Sequence, residues 1–430
     1  MGLEREFYMA AALMVSAIAG FPEGQAEALR LRLPQLLWKA WPAALASQLA
    51  YTPGVSSFRH SIHAPPTDDG HLGVPGSRGG GAISPPPPPL LLPALLGLAG
   101  CVATGFPDGK RAFIFAGPEG SSPSSPDAAA AAEGAAGEWP RSSRSLLHRV
   151  AALALSGSPP AGGGSSTDGG PYGRAAAEAA CDVVRSCALS PECRTVLSQS
   201  AFFVDAVAQI SRLCSKALKL RPGAPPFAAA ARRAGDLAGV LVNSSLKAEG
   251  QKSLMQAEGV GDMLGDMVAA CLRATPTTTA VSAARNRDAA PPTPLPLPLV
   301  TRTLLLLRNL ALAPSTGQVA AHRESIVNLV LRSLAQRPAE GGAHKTDLAW
   351  AAASCLRAVL RGSSNDGRGK TAVGVGERGA ELAAAADEAL GALASARLSA
   401  PGASRPRDGG SCEADRHLQR ELLTVKELLF

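Results

Sequence analysis

The chain is short of aromatic residues, at 4%, and short of charge, at 18%. A core with so few rings has to be filled by Ala, Leu and Val, which suits close helix-to-helix packing better than a β-sandwich. The Arg residues are scattered, and no basic cluster is interleaved with aromatics to stack bases. A nucleic-acid partner is therefore not expected, despite a formal net charge of +7. No apolar run approaches the roughly 20 residues that a bilayer span needs, because Pro93 and neighbouring glycines interrupt Leu90 to Val102. The apolar run from Phe7 to Gly20 follows Glu4, Arg5 and Glu6, which lack the positive balance of a secretory leader, so it is read as a first helix. No pair of the eight cysteines has C-x-x-C spacing. Cys187, Cys214, Cys271 and Cys355 fall on helical apolar stripes and read as small buried hydrophobes in a reducing compartment. A soluble, cytoplasmic protein with no membrane segment is the expectation.

What the chain has in abundance is glycine and proline, 45 and 35 residues, and they are clustered. The clusters divide the sequence. Residues 1–51 form an N-terminal helical region, 52–89 a disordered linker, and 90–158 short helices with a disordered insert. A second linker covers 159–173, helical repeats fill 174–397, a third linker covers 398–412, and an amphipathic helix closes the chain over 413–430.

Within 174–397 one grammar recurs. Ala180, Val183, Val184 and Cys187 stand at i, i+3, i+4, i+7, and a turn at Pro191, a short helix, and a stripe of Phe203, Val207, Ile210 and Cys214 follow. Leu237, Val240 and Leu241 precede a break at 246–250 and a stripe of Val260, Met263, Leu264, Met267, Val268 and Cys271. Leu304 to Leu312 breaks at Pro314 before Ile326, Leu329, Val330 and Leu334. Ala352, Leu356, Val359 and Leu360 break at Gly362 and resume at Glu381. Superposing the breaks aligns Leu189, Leu246, Leu312 and Leu360. A recurring unit that cannot bury its own apolar face predicts an all-α fold, an α-solenoid with Pro/Gly-rich linkers, and the joins between its units resemble the armadillo/HEAT-like class.

The joins LAGVLVNSSLKAEGQKSLMQAEGVGDMLGDMV, VVRSCALSPECRTVLSQSAFFVDAVAQI and LLRNLALAPSTGQVAAHRESIVNLVLRSL resemble those between armadillo repeats. In that family a long third helix ends in leucine, and a polar turn and a short helix follow. The order LLRNLAL, then DLAWAAASCLRAVLRGSSNDGRGKTAV over 347–373, then ADEAL ending at Leu390, is similar to the C-terminal part of the rotatin-like proteins of centrioles and ciliary basal bodies. The resemblance implies a non-catalytic scaffold that binds other proteins, without cofactor or metal, in the cytoplasm or at the centrosome or basal body.

It also implies a groove lined by the third helices. Arg185, Ser186, Asn243, Arg308, Asn309 and Arg357 stand three or four residues before the aligned leucines. Asparagines there would hydrogen-bond the backbone of an extended peptide, and arginines would select acidic segments.

Other motifs carry less. Gly367 to Thr371 ends like a phosphate loop around Lys370, the basis of an alternative nucleotide-binding reading. Ser364 stands where the first glycine of that loop belongs, and a helix precedes it in place of a strand. His60, His63, Asp68, Asp69 and His71 could share a metal, yet they lie in a Pro/Gly-rich stretch with nothing to orient the rings.

Limited proteolysis is expected to cut first within 52–88, 106–140 and 275–298, leaving a resistant core that begins near Gly173. Mass spectrometry of the early fragments checks this, and first cleavage inside 180–215 would contradict the repeat assignment.

Overall fold

The computed structural model describes residues 21–36, 96–97, 99–100, 103, 107–115, 145–155, 171–199, 201–275, 297–313, 317–335, 343–365, 378–398 and 409–429. Helix is the regular structure throughout these residues, with no strand among them. None of the described helices is long and apolar enough to cross a membrane. The expected first helix at 7–20, the 52–89 linker, most of the linkers at 159–173 and 398–412, and the His60 to His71 group lie outside the described residues.

The chain divides into two compact units, 1–196 and 197–430. In the first, the helices are α1 (Pro22–Arg30), α2 (Pro107–Phe115), α3 (Leu146–Leu155), α4 (Pro171–Cys187) and most of α5 (Pro191–Gln199), within which the division falls. Four of these open on proline, and so does α7 below; proline at the first helical position loses no hydrogen bond, because its N–H would have had no partner there. This bears on the stretch 106–140, expected to be cut early by protease. Pro107 starts α2, and Phe113 is fully buried in the unit. Likewise α4 opens at Pro171, inside the stretch expected to be linker. The α2, α3 and α4 helices pack in sequence, with Cys193 Sγ reaching Lys110 O at 3.4 Å and Cys181 Sγ reaching Ala154 O at 3.8 Å.

The second unit holds α6 (Phe202–Lys219), α7 (Pro225–Ser244), α8 (Ala248–Met255), α9 (Val260–Ala274), α10 (Leu297–Ala311), α11 (Gly317–Ala320), α12 (Arg323–Leu334), α13 (Ala343–Asn365), α14 (Gly379–Leu398) and α15 (Gly409–Leu429). Its long helices pack in two rows. In one, α7, α10, α13 and α15 each pack on the next; in the other, α6, α9, α12 and α14 do so. The rows meet where α6 packs on α7, α12 on α13 and α14 on α15. The apolar stripes face these contacts: Val260, Met263, Leu264, Met267, Val268 and Cys271 of α9 are all buried, as are Ile326, Leu329, Val330 and Leu334 of α12. Each such side chain stabilises the fold by about 1.5–3 kcal/mol. Cys187, Cys214, Cys271 and Cys355 are fully buried, and burial pushes the Cys271 and Cys355 thiols up to about 12. One break differs from expectation. α13 runs through Gly362 to Asn365, because a single helical glycine loses only about 1 kcal/mol against alanine and a well-packed helix tolerates it.

The C-terminal carbonyls of a helix have no partner within it. Here the following helix of the same row supplies one. The Arg273 guanidinium of α9 donates to Leu218 O of α6, and Arg332 Nη1 of α12 donates to Leu272 O at 2.7 Å and Thr275 O at 3.2 Å at the end of α9. These cations also complement the negative pole of the helix they close.

Small residues set the helix spacing. A Cβ on Gly235 of α7 would lie 3.1 Å from Leu299 N of α10, and one on Gly250 of α8 would lie 1.8 Å from Ser244 O. Replacing Gly250 by Ala is therefore expected to destabilise the protein by about 1–3 kcal/mol. Gly391→Ala on α14, where nothing lies within 4 Å, should instead be neutral or stabilise by up to about 1 kcal/mol. Urea unfolding midpoints distinguish the two; equal shifts would mean that α8 does not seat against the end of α7.

Candidate functional site

The expected groove residues divide between the units. Arg185 and Ser186, on α4 of the first, are half-buried; Arg185 pairs with Asp182 one turn earlier at 2.9 Å, and Ser186 O accepts from Leu189 N at 3.2 Å. Asn243, Arg308, Asn309 and Arg357 belong to the second unit, and the row of α7, α10, α13 and α15 brings the last three together.

In α10 the leucines Leu304, Leu306, Leu307 and Leu310 are buried, and Asn309 lies among them. It is buried as well, so its amide must find partners. Nδ2 donates to Val242 O at 3.0 Å and to Ser245 Oγ at 3.1 Å, at the end of α7, and Oδ1 accepts from Arg308 Nη2 at 3.0 Å and Nε at 3.2 Å. Ser245 Oγ in turn donates to Val242 O at 3.1 Å. Asn309 therefore closes α7 as the arginines close α6 and α9. Donor and acceptor are both engaged inside the chain, and a partner's backbone could meet them only after these bonds break. Asn243 lies half-buried one residue before the end of the same helix.

Arg308 is fixed from two sides. Besides holding Asn309 Oδ1, its guanidinium lies over the Trp350 ring of α13, 5.5 Å from the centroid. Burial lowers its pKa, while the nearby Glu421 carboxylate opposes that shift and Arg357 adds to it. Arg357 projects from α13 toward Glu421 of α15, with Nε 3.0 Å from Oε2; their side chains are 32% and 14% exposed. The pair is close but poorly aligned, since the buried Oε2 accepts no hydrogen bond of good geometry. A second bridge, Arg302 to Asp236 at 2.6 Å, ties α10 to α7. Arg357 thus faces the Glu421 carboxylate, and Arg308 lies over the tryptophan on the same face of α13, so two guanidinium groups, whose chemistry is carboxylate recognition, stand along this part of the row.

Trp350 and Glu421 did not figure among the residues expected at the groove. Both leave a signal. Trp350 stands seven residues before Arg357 and so shares its helix face. Glu421 stands on the stripe of Leu418, Leu422 and Val425, at i, i+3, i+4, i+7, and a charge on a buried stripe demands a cation on the facing helix. Leu418, Leu422 and Val425 are fully buried and α15 packs on α13 and α14, so this face of α15 is turned to its neighbours in the unit. The Lys370 loop lies outside the described residues, and the element before it, α13, is helical.

No protein-family model matches the chain, and no curated protein matches it.

The Asn309 bonds supply a direct test. Asn309→Ala is expected to lose about 1–3 kcal/mol of stability, because Val242 O and Ser245 Oγ lose a buried partner. Asn309→Asp should lose at least as much, since it cannot donate and sets a carboxylate against a carbonyl. Chemical denaturation of both variants checks this; an unchanged midpoint for Asn309→Ala would remove the amide from the fold's support.

Proposed function

We propose that the chain is a non-catalytic protein-binding scaffold of armadillo type, whose repeated helices present a long face to extended, acidic segments of other proteins. The observation that carries this is the alternation in the second unit. From α7 to α10 and from α10 to α13, the long helices of one row are separated along the chain by a short helix, α8 or α11, and a helix of the other row, which is the order of the armadillo repeat. Such a stack offers a surface that grows with each unit and has no need of a catalytic centre. Arg308 and Arg357 are among the positive groups of this row, and Arg302 is already paired with Asp236. The resemblance of 306–390 to rotatin-like proteins extends the proposal to a component of centrioles or ciliary basal bodies, working in the cytoplasm.

Two measurements test it. A fluorescently tagged full-length chain should concentrate at centrioles or basal bodies; diffuse signal would sink that assignment and leave the general scaffold reading. Separately, fluorescence anisotropy with a labelled peptide of alternating Glu and Ser should show salt-sensitive binding that an alternating Lys and Ser peptide lacks. Arg308→Gln with Arg357→Gln should weaken it severalfold, each contact contributing about 0.2–1 kcal/mol. Equal binding of both peptides would overturn the acidic-partner reading.

A further inference from the structure

Glu421 is hard to explain as packing alone. A carboxylate 14% exposed, on the apolar stripe of α15, loses most of its hydration and needs a well-made partner. What it has is Arg357 Nε at 3.0 Å in poor alignment, with Arg308 close enough to influence it electrostatically. The Arg308 guanidinium is better prepared than this pair. Arg308 is held by the Asn309 oxygen on one side and the Trp350 ring on the other, so little side-chain freedom remains to be lost when it binds an anion. The groups that hold Arg308, the Asn309 amide and the Trp350 ring, are neutral, so its positive charge is left over.

We infer that Arg308, Trp350 and Arg357 form a clamp for an acidic side chain of an extended partner segment, and that Glu421 is its built-in competing occupant. This rests on the proposal that the row's face binds proteins, and deepens it by naming the point of contact. Release of Glu421 does not require α15 to leave, because Leu418, Leu422 and Val425 hold the helix by their own burial. Only one side chain swings away, and a partner carboxylate with freedom to approach can meet a guanidinium edge in the two-bond geometry that Glu421 misses.

The test uses the full chain and the labelled peptide of alternating Glu and Ser. Glu421→Gln removes the competing charge and is expected to tighten binding about fivefold, the equivalent of one exposed ion pair. Adding Arg308→Gln or Arg357→Gln to that variant should abolish the gain, whereas adding Arg185→Gln, in the other unit, should not. If Glu421→Gln does not fold, Glu421→Asp, whose shorter side chain reaches Arg357 less well, should give a smaller gain of the same sign. Wild-type binding equal to or tighter than that of the variants would overturn the inference, making Glu421 a structural ion pair while the acidic groove stands. Absence of binding by every protein would overturn the clamp and the acidic groove together.

Discussion

The unpartnered carbonyls at helix C-termini are the constraint on which the second unit depends. A row of helices packed through alanine and leucine faces is held by contacts with little direction, and such faces could slide past one another. The bonds from Arg273 to Leu218 O, from Arg332 to Leu272 O and Thr275 O, and from Asn309 to Val242 O have direction. Each gives a bond to a carbonyl that has no partner within its own helix, and each joins a helix to the next in its own row. Register between neighbouring helices follows from these few bonds.

The candidate site grows out of the same device. Asn309 points inward to close α7, which leaves Arg308, the residue before it, turned toward α13, where Trp350 meets it. Arg357 lies two turns along α13 from Trp350, and α15 brings Glu421 against it. A structural requirement at one position thus orients a binding group at the next. The charged contacts from Asp236 to Arg302 and from Arg357 to Glu421 run helix to helix along this row and are largely shielded from solvent. They constrain which side chains an incoming segment can exchange for those already there, a matter of specificity more than of affinity.

Helical class, the positions of the buried stripes and the alternation of long and short helices were legible from spacing, because a helix that buries one face must repeat its apolar residues near every 3.6 positions. Proline was legible only in part. Pro191 announced a turn, but Pro107 and Pro171 were indistinguishable from linker residues until the helices they open were seen, since the same residue breaks one helix and begins another.

The direction of a polar side chain is a different matter. Asn309 and Arg308 are neighbours of similar character in the sequence, and nothing local says that one is buried against the end of α7 while the other lies over a ring of α13. Glu421 could be seen to need a cation, but not which one. Periodicity along a single chain is enough to say which helices form and which faces they bury. Which polar groups meet is not local in this sense, because Asn309 and Ser245 stand 64 residues apart and only helix packing brings them within bonding distance.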